Sequence, residues 1–336
     1  MTATQVLTFG ETMLAVQLPG PLEVGATART SVAGAESTVA IALARLGHRA
    51  SWAGRVGADE PGRLVLRTLR GEGVDVTHAG RDAELPTGAL LRETRVADVA
   101  RVHYWRRGSA ASRLCPEHLA PALAAGARVV HLTGITCALG EGPLAAVRTA
   151  AAHGRARGWT VVLDVNHRSR LWSRRQAAAA LRPLLRHVDV LVASAEELPV
   201  VADADGAPDD TLPTGAVPED DAGGDAERRR VAALLAGGVR EVLVKRGAEG
   251  AELFTADGRR YRCPARPVRA VDTVGAGDAF CAGYLSGLLE GLPAPDRLAR
   301  GVLLGGFAVA SRGDWEGLPH RDELPLLDAA PGSAVR

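Results

Sequence analysis

Short β-branched or leucine-rich runs alternate along this chain with alanine-, leucine- and arginine-rich stretches of helical period, the pattern of an α/β fold whose mostly parallel sheet is covered by helices. Strands are predicted at Val6 to Phe9, Val129 to Thr133, Thr160 to Asp164, Val188 to Ala193 and Glu241 to Lys245. Helices are predicted at Ser37 to Leu46, Gly62 to Glu72, Pro143 to Arg157, Arg174 to His187 and Glu227 to Ala236. Gly47 and Gly73 stand where the first two helices would stop on a left-handed residue. In an open sheet of this kind ligands gather beyond the carboxyl ends of the strands, so the residues just after each strand are the candidates for chemistry.

Two stretches depart from this plan. Thr12 to Leu18 with Ala28 to Val32, and Gly88 to Glu93 with Arg101 to Trp105, read as two pairs of short strands with polar turns that form a small sheet outside the main one. Ala202 to Ala226 is rich in Asp, Gly and Pro and holds no Lys or Arg, which predicts a disordered, solvated surface loop rather than an acidic binding segment. The whole reads as one domain over 1–327 with a tail at 328–336, and no internal repeat is visible.

Charge and cysteine usage narrow the function classes. The 336 residues carry 40 Lys and Arg against 39 Asp and Glu, a net charge of +1, which argues against sequence-independent binding to nucleic acid. All but one of those cations are arginines, the exception being Lys245. Cys115, Cys137, Cys263 and Cys281 are scattered, with no C-x-x-C pair and no histidines at zinc spacing, so a reduced, cytoplasmic chain is expected. Met1 to Val6 lacks the basic and apolar regions of a signal peptide, and no uncharged apolar run reaches membrane-spanning length. Neither export by that route nor membrane insertion is expected.

The segment richest in chemistry is Ala270 to Phe280, AVDTVGAGDAF, succeeded by CAGYLSGL. A turn of small residues enters a helix whose first turn carries an acid. Gly275, Ala276 and Gly277 allow backbone N–H groups to point at one spot, and the helix N-terminus adds roughly half a positive charge there. The result is an anion hole. Asp278 beside it would not neutralise a phosphate, but it can accept a proton from a hydroxyl that attacks a phosphoryl group. The competing reading is a capping Asp in a glycine-rich turn, with Gly283 and Gly287 serving close helix packing. The spacing is not G-x-G-x-x-G, because Phe280 stands three after Gly277, and no G-K-[ST] is present, so dinucleotide-binding and Walker-type loops are disfavoured.

Asp272 to Phe280 closely resembles the D-T-x-G-A-G-D-x-F signature of the PfkB/ribokinase family of carbohydrate kinases. Val32-Ala33-Gly34-Ala35-Glu36 and Gly54 to Gly62 (GRVGADEPG) resemble the first, sugar-binding motif of that family. The resemblance runs from about Val6 to Pro325, apart from the acidic loop. It implies a ribokinase-like central, mostly parallel sheet flanked by helices, with a small β-strand lid in which the four misfit strands belong. Within the family the chain is most similar to 2-keto-3-deoxygluconate kinases, through Pro86 to Gly88 with Leu91 to Glu93, Tyr104 with Arg106, Gly108 to Ser112, Leu163 to Arg168, Leu171 to Ser173 and Arg312 to Gly317.

Carried over by that resemblance, Asp278 falls on the catalytic base, and Gly34, Ala35, Glu36, Tyr104, Arg106, Arg168 and Asp314 fall on the substrate side. A sugar acid carries a carboxylate, and arginine forks bind carboxylates bidentately, which suits Arg106 and Arg168. Arg107, Arg170 and Arg174 read as surface residues, and Tyr104 reads either as a contact or as lid core. Thr38 stands where the family has Asn, and Leu90 stands where close relatives have a contacting Tyr. Both departures bear on which sugar is chosen.

On the nucleotide side, Lys245-Arg246-Gly247-Ala248-Glu249-Gly250 resembles the family's nucleotide loop, with Lys245 either a phosphate contact or the surface end of a strand. Asn166 joins this set, and Ser194 to Glu197 stands where the family has N-x-x-E. Ser194 replaces the Asn, so Glu197 is expected to organise Mg²⁺ through water. Asp272 begins a turn that binds a monovalent cation such as K⁺ in some members. The resemblance thus implies an ATP- and Mg²⁺-dependent kinase of a sugar acid, assembled as a homo-oligomer through lid strands. The rivals are a kinase of a neutral sugar or a nucleoside in the same family and, from another class, a non-catalytic sugar-binding regulator.

Overall fold

The computed structural model describes residues 4–96, 99–203 and 222–328. Fourteen strands occur in chain order among them: β1 (Val6–Thr8), β2 (Met13–Leu18), β3 (Arg29–Ala33), β4 (Ala50–Trp52), β5 (Arg55–Gly57), β6 (Gly80–Asp82), β7 (Ala89–Val96), β8 (Val99–Trp105), β9 (Val129–Thr133), β10 (Thr160–Asp164), β11 (Val190–Ser194), β12 (Glu241–Lys245), β13 (Ala251–Thr255) and β14 (Arg260–Cys263). The main sheet has the order β14-β13-β12-β11-β10-β9-β1-β4. Its pairs are parallel from β4 to β12, and only β12-β13 and β13-β14 are antiparallel.

The parallel strands are continuous apolar runs because both of their faces are covered. Alternate residues enter two separate cores. Val129, Val162, Val190 and Val192 pack with the helices Ala35–Arg45, Ala276–Leu289 and Ala294–Val309. Val130, Val161, Leu163 and Leu191 pack on the other side, against Glu141–Ala156 and Arg174–Leu181. Each fully buried Val or Leu of this kind contributes about 1.5–3 kcal/mol by leaving water. The last two helices of the first group lie close enough that a Cβ on Gly283 would meet the carbonyl oxygen of Arg300 at 2.5 Å. Gly283 and Gly287 thus serve close helix packing.

The four misfit strands form one outer sheet, β3-β2-β7-β8, in which the two hairpins are joined by parallel pairing of β2 with β7. A further small pair, β5-β6, was not expected. Helix ends obey the sequence signals, with Gly47 and Gly73 at φ 83° and 79°. The stretch predicted as one helix from Arg174 to His187 tightens into a 3-10 turn at Arg182–His187, where Pro183 enters. Most of the acidic loop, 204–221, lies outside the described residues, as does the tail beyond Asp328. The helix predicted from Glu227 begins earlier, at Ala222, so the end of that loop is helical. Among the described residues no helix is long and apolar enough to cross a membrane.

Candidate active site

A cleft of about 1440 Å³ lies between the carboxyl ends of the main-sheet strands and the outer sheet. The segments leaving β9, β10, β11 and β12 form its floor together with the start of the helix Ala276–Leu289, and β2, β7 and β8 form its roof. This is where an open parallel sheet is expected to bind its ligand.

Gly275 precedes the helix in the left-handed region, at φ 75°, and a Cβ there would stand 2.2 Å from the carbonyl oxygen of Asp314. Both facts demand glycine. Ala276 opens the helix, and the N–H groups of its first turn have no carbonyl behind them within the helix, which leaves them for an anion. Asp278 in that first turn is buried at the cleft wall. Burial pushes its carboxyl up to about 6; Asp164 adds to the rise, while Arg168, Lys245 and a hydrogen bond from Asn166 oppose it. At neutral pH it is an ionised base stronger than an ordinary aspartate.

Asn166 is the only non-glycine with positive φ among the described residues, at 38°. A residue with a side chain pays about 1 kcal/mol for that conformation. Its backbone N–H donates to Asp164 Oδ1 at 3.2 Å, and its side-chain Nδ2 donates to Asp278 Oδ1 at 3.2 Å. Asn166 was expected on the nucleotide side; here its amide is committed to Asp278.

Lys245 ends β12 beside the first turn of the helix Ala276–Leu289. Its Nζ donates to both carboxylate oxygens of Asp164 at 3.0 Å, and a Cβ on Gly277 would come within 3.3 Å of it. Burial is the largest single influence and would lower this ammonium, but Asp164, Cys281 and Glu197 together outweigh it and raise it, so Lys245 stays charged. Gly247 and Gly250, grouped with it in sequence, do not line the cleft. They belong to the tight turn into β13, in which Arg246 N–H donates to the Gly250 carbonyl at 2.9 Å and Gly250 packs on the Cys263 backbone. Ser194 does line the cleft.

Glu197 reaches back to two strand ends. Its oxygens accept the backbone N–H of His167 and of Ser194, each at 2.7 Å. The remaining lone pairs suit water more than a direct metal bond, and among the described residues no three His, Cys, Asp or Glu side chains converge on a metal position. That donor set fits Mg²⁺, which keeps several waters and is held largely by substrate phosphates.

The substrate side divides. Gly34, Ala35, Leu90, Tyr104, Arg106, Arg168 and Asp314 all line the cleft. Arg168 is exposed there, with no side-chain hydrogen bond or ion pair among the described residues. Asp314 is pushed up to about 7 by burial, with Asp278 and Glu316 adding to the rise. Arg106, expected to hold a carboxylate from the substrate, already has one. Its Nε and Nη2 meet Glu11 at 2.6 and 2.5 Å, and Ser109 Oγ donates to the same carboxylate at 2.6 Å. Tyr104 stacks beneath it, its ring 5.7 Å from the guanidinium carbon.

Four expectations are corrected. Glu36 does not reach the cleft: it is fully buried, and Thr133 and Thr136 each donate to its Oε1 at 2.5 Å. Thr38 likewise faces the interior and is fully buried, because the first helix turns that position inward. Asp272 is not open to a cation, since Arg92 of β7 grips it through two bonds of 2.5 and 2.8 Å and the N–H groups of Val274 and Gly313 also donate to it. The stretch Gly54 to Gly62, read as part of the sugar motif, is scaffolding. Asp59 caps the helix Glu60–Gly71 through Gly62 N–H at 2.8 Å and holds Thr87 by its N–H at 2.8 Å and its hydroxyl at 2.6 Å.

Residues that sequence reasoning missed are the partners: Asp164, Glu11, Arg92 and Cys281, whose Sγ–H donates to Asp164 Oδ2 at 3.3 Å. Asp164 was the one with a signal, an acid closing an otherwise apolar central strand.

Residues 3–321 match the family described as pfkB family carbohydrate kinase. The 2-dehydro-3-deoxygluconokinase of Bacillus subtilis (strain 168) is 35% identical over 322 residues, 95% of this chain and 93% of that protein. The enzyme of the same name from Thermoproteus tenax is 36% identical, covering 93% of this chain and 90% of its own. Among solved structures, a PfkB protein from Polaromonas sp. JS666 superposes with a TM-score of 0.79 at 33% identity, over 96% of this chain and 99% of that one.

Proposed function

The chain belongs to the pfkB family of carbohydrate kinases, and from that premise we propose that it transfers the γ-phosphoryl group of ATP to the primary hydroxyl of 2-keto-3-deoxygluconate. The observation that carries this reading is the pairing, in one cleft, of a buried base at a glycine-built helix N-terminus with the unpaired guanidinium of Arg168. The base suits hydroxyl activation; the guanidinium suits an acid substrate.

Asp278 accepts the proton of the attacking hydroxyl through Oδ2 while Asn166 holds Oδ1. The first-turn N–H groups of the helix at Ala276 receive charge that spreads over the transferred phosphoryl oxygens, an effect commonly worth about 3 kcal/mol per donor. Arg168 binds the substrate carboxylate; Gly34 and Ala35 lie close against the sugar. Glu197, with Ser194 beside it, would hold the waters of Mg²⁺, which when bound with ATP neutralises charge on its phosphates. The outer sheet acts as a lid that excludes water and so limits wasteful hydrolysis of ATP. Pairing of two copies through that sheet is part of the same proposal, supported by its open edges β3 and β8 and by Trp105, 61% exposed on β8. Light scattering on the purified protein checks the pairing, and a monomer contradicts it.

A coupled ATP assay over a substrate panel tests the reaction. The proposal expects kcat/KM for 2-keto-3-deoxygluconate to exceed that for fructose or ribose by at least about 100-fold. Equal or better use of a neutral sugar contradicts the acid specificity, and no transfer to any acceptor contradicts the kinase reading in favour of a silent sugar-binding protein.

A further inference from the structure

The carboxylate of Asp164 is almost completely buried, yet the mechanism above gives it no step. Four contacts converge on it from separate elements. Lys245 at the end of β12 meets both of its oxygens, Cys281 of the catalytic helix donates to Oδ2, and the backbone N–H of Asn166 donates to Oδ1. Asn166 in turn is held in the left-handed region with its amide on Asp278 Oδ1. The path from Lys245 to the base is therefore continuous: ammonium, carboxylate, strained backbone, amide, carboxylate.

We propose that Asp164 and Lys245 are positioning residues for the base, fixing Asn166 so that its amide occupies one oxygen of Asp278 and leaves the other for the substrate hydroxyl. This rests on the assignment of Asp278 as base. Without Lys245, Asp164 becomes a buried anion with no cation, the turn at Asn166 loses its anchor, and the amide no longer selects one oxygen of Asp278.

The charged and titratable groups facing Asp278 are Asp164 from β10, Lys245 from β12, Arg168 from the loop after β10, the neutral thiol of Cys281 from its own helix, Asp314 from the segment after the last long helix, and Glu36 from the first. Of the cations among these, Lys245 and Arg168, only Lys245 is tied to a second acid. Its removal therefore leaves a net negative surrounding and moves the titration of the base upward.

The sequence left Lys245 as a possible phosphate contact, and kinetics separate the two roles. Lys245→Met should lower kcat by about 30-fold, keep KM for ATP within about threefold, and shift the acid limb of kcat/KM for the sugar to higher pH. Asp164→Asn combined with Lys245→Met removes the unpaired buried charge, so it should melt near the wild type and return the acid limb toward it, with kcat still reduced. A tenfold rise in KM for ATP at unchanged kcat and unchanged acid limb would overturn the positioning role and make Lys245 a phosphate ligand. Wild-type kcat in the well-folded double variant would overturn it as well. Asp278→Asn is the reference: if that variant is active, the base assignment itself fails, whereas an inactive Asp278→Asn beside a normal Lys245→Met removes the positioning role alone.

Discussion

Asp278 is a carboxyl on which burial and charge pull in opposite directions, and burial prevails, leaving it near 6. A base of that strength gives kcat/KM an acid limb centred near pH 6, with a plateau above it; a limb near pH 4 would mean that a different group governs the reaction. Asp278→Asn should retain nucleotide binding by calorimetry while kcat falls by about 10³-fold. Glu36 carries a second prediction. Burial pushes its carboxyl up to about 7 in the fold, against an ordinary value when unfolded, so the folded state binds that proton more tightly. The stability it contributes is complete below the ordinary carboxylate range and is lost as the pH rises through 7. Melting temperature should therefore fall less in Glu36→Gln than in the wild type between about pH 5 and about pH 8; parallel curves contradict the assignment. Sequence could place Glu36 at the mouth of the sugar motif but not say which way the helix turns it. That depends on Gly10, which leaves space on β1's far end for the carboxyl: a Cβ there would stand 2.3 Å from Glu36 Cδ.

At the scale of elements, the outer sheet is tied to the catalytic turn by Arg92 on Asp272, and to the segment after the last long helix by Ser31 on Glu316 at 2.5 Å and by Trp315 Nε1 on the Val32 carbonyl at 3.0 Å. Arg92→Gln should loosen that sheet, raising KM for the sugar by about tenfold and raising ATP hydrolysis in the absence of acceptor; unchanged values for both contradict its role as a lid. The central strands were legible because burial on both faces forces an unbroken apolar run, and β9, β10 and β12 have the bounds the sequence suggested. The edge strands were not. β14 is Arg-Tyr-Arg-Cys, with its arginines exposed, and β4 is three residues long, so neither presents a run to read. The outer strands could be recognised as pairs, but the parallel joining of β2 to β7 is a long-range choice that local pattern does not encode.

Across the whole molecule, a net charge of +1 conceals a cleft in which arginines and acids are sorted. The family signature made Asp278 and its helix readable; the division of labour among the arginines was not, because pairing depends on acids distant in sequence. Arg107, Arg170 and Arg174 also line the cleft, but with Arg106 taken by Glu11 and Arg92 by Asp272, Arg168 is the guanidinium whose charge acts on Asp278. The proposed acid specificity rests chiefly on Arg168. The most direct test compares 2-keto-3-deoxygluconate with 3-deoxyfructose, which differs only in carrying a hydroxymethyl group in place of the carboxylate, in the wild type and in Arg168→Ala. The ratio of their kcat/KM values should collapse by about 30-fold or more in the variant, through loss of the acid substrate alone. An equal loss for both substrates would contradict the account.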